Sequence, residues 1–162
     1  MKFNVLVLLV AATVSFGCSG IQGGVSAYER GDYPAALVEF RPLAERGYRL
    51  AQYTLGVMYV QGQGVPQDYH AAVKWFGRAA GQGVPQAQFE LGKLYQRGLG
   101  VPQNFVLAHA WMNLATAGAD PEDAAYYARE RDALAVAMTP EQLATAQRVA
   151  RESLASIATR QR

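Results

Sequence analysis

Cys18, His70 and His109 are the side chains whose chemistry could exceed packing or solvation, because the chain holds one cysteine and two histidines. A lone thiol closes no internal disulfide, and neither histidine has a cysteine or a second histidine at metal-ligand spacing. Both histidines are therefore expected on solvated helix surfaces, with no metal and no cofactor. Gly62-Gln63-Gly64 could be read as a phosphate cradle. It recurs, however, as Gly81-Gln82-Gly83-Val84-Pro85 and Gly98-Leu99-Gly100-Val101-Pro102, with no strand-to-helix context, so it reads as turn punctuation. Ser15, Ser19, Ser26, Ser153 and Ser156 lack the glycines of a nucleophile elbow. No pair of carboxylates stands out for acid and base work. These residues imply no catalytic centre.

Cys18 gains a role from what precedes it. Lys2, the apolar run from Val5 to Val14 and the small residues Ser15 and Gly17 form the three parts of a secretory signal peptide over residues 1–17. That run spans about 15 Å as a helix, half the hydrocarbon thickness of a bilayer, which argues against a permanent transmembrane anchor. Val14-Ser15-Phe16-Gly17-Cys18 resembles a permissive bacterial lipobox in which Ser15 replaces the common leucine. Cleavage before an acylated Cys18 would leave a lipid anchor, each buried methylene contributing roughly 0.8 kcal/mol. Ordinary cleavage after Gly17, releasing a periplasmic protein, is the alternative. Ser19 is not the aspartate of inner-membrane retention. The expectation is an exported, periplasmic lipoprotein on the outer membrane, with a short tether over 18–26.

The elements behind that segment must be built from 162 residues, 51% of them hydrophobic, which is one domain able to bury a core without staples. The net charge of +2 comes from arginines interleaved with aspartate and glutamate, so no basic stripe could neutralise a run of phosphates. Nucleic acid is not an expected partner.

Internal repetition is the strongest signal. A shift of 36 residues lays Ala51 on Ala87, Tyr53 on Phe89, Leu55 on Leu91, Gly56 on Gly92, Tyr59 on Tyr95, Gly62 on Gly98 and Gly64 on Gly100. It continues through Ala72 and Ala108, Trp75 and Trp111, and Ala79 and Ala115. The same shift backward places Asp32, Tyr33, Ala36, Phe40 and Gly47 opposite Asp68, Tyr69, Ala72, Phe76 and Gly83. Apolar residues at three- and four-residue steps make each unit two helices. Gly62 and Gly98 should end the first helix of each unit in a left-handed conformation, while Asp32, Asp68 and Asn104 should cap the second. Gly56 and Gly92 sit inside helices, where glycine costs about 1 kcal/mol relative to alanine. The repeated cost implies close approach of the paired helix, with Trp75 or Trp111 expected to cover the gap. Tyr59 and Tyr95 are expected between helices as well.

Ala51, Tyr53, Leu55, Gly56, Tyr59, Gly62, Gly64, Val65, Asp68, Ala72, Trp75, Ala79, Ala80 and Gly83 stand in the order and spacing of the Sel-one-like repeat family, relatives of the tetratricopeptide repeat, and the chain resembles that family. The resemblance implies an all-α fold, a short right-handed α-solenoid of helix-turn-helix repeats with a C-terminal helical cap. Residues 27–119 would hold a capping half-repeat (27–47) and two repeats (48–83 and 84–119), with capping helices over 120–162. Asp120-Pro121-Glu122 and Thr139-Pro140-Glu141-Gln142 mark the starts of the two cap helices. A stack with few repeats needs such a cap, because its last apolar face has no neighbour.

The resemblance further implies a non-enzymatic scaffold or adaptor, expected as a monomer, that binds a protein or peptide partner on its inner curved face. With Leu55, Met58 and Tyr59 turned inward, the opposite stripe is Thr54, Val57 and Gln61, matched by Glu90, Lys93 and Arg97. These six differ between units and are the expected partner-binding positions. The alternatives are a small periplasmic hydrolase or a cell-wall glycan binder, for which Tyr126 and Tyr127 form the one adjacent aromatic pair beyond the repeat positions.

Overall fold

The computed structural model describes residues 18–160. The expected signal peptide, 1–17, lies outside the described residues. Those residues form eight α-helices and no strand, each of α1 to α6 packed on the next and both α7 and α8 packed on α6: α1 (Cys18–Glu29), α2 (Tyr33–Glu45), α3 (Arg49–Gln61), α4 (Tyr69–Ala80), α5 (Pro85–Arg97), α6 (Phe105–Gly118), α7 (Pro121–Ala135) and α8 (Pro140–Arg160). None of them is long and apolar enough to cross a membrane.

Helix ends follow local chemistry. Gly62 and Gly98 close α3 and α5 at φ 68° and 67°, and their N–H groups donate to the Met58 and Leu94 carbonyls. Asp32, Asp68, Asn104 and Asp120 each accept a backbone N–H three residues on, opening α2, α4, α6 and α7. At α8, Thr139 and Gln142 exchange hydrogen bonds reciprocally, a capping box. The tether expected over 18–26 is instead the body of α1, which lies on α2 through Gly20, Gly23 and Gly24. An added Cβ at Gly24 would lie 2.9 Å from the Phe40 ring, so small residues there allow an approach that offsets their poor helix propensity. The first unit is thus a complete helix pair rather than a half-repeat.

The core consists of three clusters, each at the seam between successive pairs. Ala27, Phe40, Leu43, Leu55 and Met58 join α1, α2 and α3. Val57, Phe76, Ala87, Leu91 and Leu94 join α3, α4 and α5. Phe89, Met112, Tyr127, Leu134 and Ala146 join α5 and α6 to the cap helices. The glycines inside α3 and α5 are covered differently from expectation. A Cβ at Gly56 would strike the Phe76 ring, and one at Gly92 would meet Met112 Cγ at 2.9 Å and the Ala108 carbonyl oxygen at 3.0 Å. Phe76 and Met112 are repeat-equivalent and fully buried, whereas Trp75 and Trp111 are half-buried at the cluster margins.

Buried glutamines tie the pairs together. Gln52 and Gln88 donate to the Ala44 and Ala80 carbonyls at 3.0 and 3.1 Å, oxygens at the ends of α2 and α4 that also accept the Gly47 and Gly83 N–H groups of the following turns. Gln82 donates to the Gly47 carbonyl at 3.0 Å and to Gln52 Oε1 at 2.7 Å. Ala124 and Gly118 stand where the next Gln88 and Gln82 would fall, so the tie is not repeated at the cap.

Candidate functional site

Among the helices α1 to α6, α3 and α5 are the pair two apart in the chain that approach most closely, which places the first helix of each pair on the inner side of the stack. The stripe expected to be open there is divided by the structure. Thr54 and Val57 are both 6% exposed. The Thr54 hydroxyl donates to the Leu50 carbonyl, and Val57 packs in the cluster with Ala87, Leu91 and Leu94 of α5. Neither lies on an open surface, and Gln61 alone of the α3 positions is exposed. The reason is geometric: a first helix packs on its own second helix and on the next first helix, so the stripe opposite one contact is occupied by the other.

On α5 the same stripe has no further repeat to cover it. Glu90 and Lys93 remain half-buried and Arg97 exposed. Lys93 Nζ pairs with the Glu90 carboxylate at 3.0 Å and lies 5.5 Å from the Phe89 ring centroid. α7 sits beside this stripe instead, stacking Tyr127 on Phe89 at 4.3 Å and setting Tyr126 edge-on to it at 5.3 Å. Burial pushes the Tyr53 and Tyr127 phenols well above their usual range, and the Glu90 and Asp123 carboxylates push both the same way. Residues of α3, α5 and α7 therefore converge on one aromatic and charged patch in which the Tyr53 and Tyr127 phenols stay protonated. Tyr126 and Tyr127 are spoken for by Phe89 and do not form a free aromatic platform.

His70 is exposed, but His109 is not: it is 5% exposed on α6, and its Nδ1 has no hydrogen-bond partner. The expectation of a surface histidine fails there because α7 and α8 close over α6. Leaving such a nitrogen unsatisfied costs about 1–3 kcal/mol. Burial, then the neighbouring Arg131 guanidinium, holds the imidazole below its usual pKa, against a smaller opposing pull from Asp132. His109 borders a cavity of about 480 Å³ with Asn113, Arg131, Asp132, Gln147 and Arg151. Arg131 donates to Asn113 Oδ1 at 3.0 Å and to Asp132 Oδ1 at 2.9 Å. A signal for this site was present in the repeat: Val73 and Gly77 stand where the last unit has His109 and Asn113. Among the described residues, no group of three histidine, cysteine, aspartate or glutamate side chains is placed to hold a metal ion.

The Sel1 repeat family model matches residues 49–84 and 85–120. The DAP3-binding cell death enhancer 1 proteins of Rattus norvegicus and Mus musculus are each 42% identical over 45 residues, 28% of this chain and 9% of theirs. A protective antigen present in uropathogenic Escherichia coli strains, displaying an SLR fold, superposes with a TM-score of 0.79 at 27% identity, over 91% of this chain and 32% of that one. A Sel1 repeat protein from Oxalobacter formigenes superposes with a TM-score of 0.62 at 32% identity, over 70% of this chain and 34% of that one. The chain thus spans about a third of the solved relatives and under a tenth of the curated ones. Two family matches lying on two helix pairs, within a stack that superposes on solved SLR folds, make this chain a Sel1-like repeat helical protein.

Proposed function

We propose that the protein is a non-enzymatic scaffold of the bacterial cell envelope that holds a protein or peptide partner on the inner patch where α3, α5 and α7 converge. The Sel1 repeat fold is typically a protein–protein interaction scaffold. The observation that carries the reading is the α5 stripe of Glu90, Lys93 and Arg97, left partly open where a further repeat would cover it and bordered by Phe89, Tyr53 and Tyr126. The half-buried edges of Tyr53 and Tyr126 flanked by charge suit an interface with an apolar centre and a polar rim. The envelope location rests on the export pattern that ends at Cys18. If Cys18 carries acyl chains, α1 begins at the anchor itself and would hold the stack close to the membrane surface.

In-cell photo-crosslinking tests this, with the probe at Lys93 or Arg97 compared with Lys74 on the outer helix α4. Partner capture from the inner positions alone is expected, and charge reversal of Lys93 with Arg97 should weaken it. Equal capture from Lys74, or capture indifferent to the charge reversal, would remove the inner patch from the account.

A further inference from the structure

We propose that the open pocket between α6, α7 and α8 binds a small monocarboxylate, held by the Arg151 guanidinium and the Asn113 and Gln147 amides beside the imidazole of His109. At about 480 Å³ the pocket lies within the roughly 300–1,000 Å³ of small-molecule sites. It is distinct from the inner patch: its walls come from one second helix and the two cap helices.

The charge of the lining selects the ligand. Arg131 is neutralised by Asp132, which accepts from it at 2.8 Å, whereas Arg151 makes no hydrogen bond or ion pair among the described residues. With His109 neutral, the lining carries one uncompensated positive charge and matches one negative charge on the ligand. A guanidinium presents parallel N–H donors in a plane, the geometry that a carboxylate meets with both oxygens. Arg131 occupies Asn113 Oδ1, so Asn113 is left to offer Nδ2 as a further donor. Ala135 and Leu143 add an apolar wall for a short aliphatic body.

His109 is the second, independent sign of a ligand. Its Nδ1 is sealed from solvent without a partner, and the ring makes no hydrogen bond within the described protein. Nε2 is therefore the nitrogen left with access to the open space. Covering the last repeat does not call for these groups, because the preceding unit has Val73 and Gly77 at the same two positions. Polar residues placed where the scaffold uses apolar ones, around an open pocket that a free Nε2 faces, describe a site that a bound molecule completes through Nε2.

Imidazole NMR of the full chain tests the proposal, because His70 is exposed on α4, outside this lining, and serves as the internal reference. Titration with N-acetyl-leucine should move the His109 ring signals saturably and leave those of His70 in place. The uncharged N-acetyl-leucinamide should move them little. Arg151→Gln should weaken the carboxylate response at least about tenfold, the usual consequence of losing hydrogen bonds to a charge, with an unchanged thermal melt by circular dichroism. No saturable movement of His109, an equal response to the amide, an Arg151→Gln variant that binds as the parent does, or inorganic phosphate competing as strongly as the carboxylate would each overturn it.

Discussion

Two aromatic neighbours on α4 separate the residues that hold the stack from those that only border it. Phe76 is buried against Gly56, and its truncation should cost about 3–5 kcal/mol in a denaturant melt, because a large cavity opens where α3 and α4 touch. Trp75 is half-buried, so Trp75→Ala should cost clearly less; equal losses would mean that the two rings share the load. His109 makes a separate prediction about pH. Its folded pKa lies below the unfolded value of about 6.5, so between pH 7.5 and 5 the unfolded chain binds more protons and stability falls as pH falls. The groups acting on it from α7 are Arg131, which lowers its pKa, and Asp132, which raises it. Urea midpoints measured across that window should drop toward acid in the parent, and the slope should flatten in His109→Gln. A parent whose midpoint does not change would place the imidazole in water after all.

Caps and turns made the helices legible in the sequence, because each depends on a few neighbouring residues. The aspartate and asparagine caps, the left-handed glycines and the proline-led starts of α7 and α8 act within a few residues of where they are read. The start of α1 was not legible: Gly20, Gly23 and Gly24 argue locally against a helix, and only contact with Glu39, Phe40 and Leu43 of α2 makes helix the better state. The glutamine ties show a second limit. Gln52 and Gln88 recur at the repeat distance, yet a buried amide looks like a surface one until the carbonyl it serves is known. Gln88→Ala should cost about 0.5–1.5 kcal/mol, since it removes one buried hydrogen bond while the Gly83 N–H still serves the Ala80 carbonyl. Hydrogen exchange should show the loosening at the α4–α5 junction; loosening confined to α7 and α8 would be inconsistent with the tie.

For the whole molecule, the proposed attachment at Cys18 precedes the helices that carry the proposed binding patch. Under the proposed envelope role, cells fed an alkyne fatty acid should label the parent protein and not Cys18→Ser, with the variant recovered away from the membrane fraction. Label retained in the variant would place acylation elsewhere or nowhere. The sequence by itself determined the repeat, its all-helical character and its two-helix unit, because spacing, caps and turn glycines are local and recur. Tertiary structure decided which faces stay open. Thr54 and Val57 disappear under the next helix, Glu90 and Lys93 stay partly open for want of a further repeat, and His109 is enclosed by a cap that does not follow the repeat. The physical reason is that exposure belongs to neighbours distant in sequence, and at the end of a stack those neighbours are no longer copies of what came before.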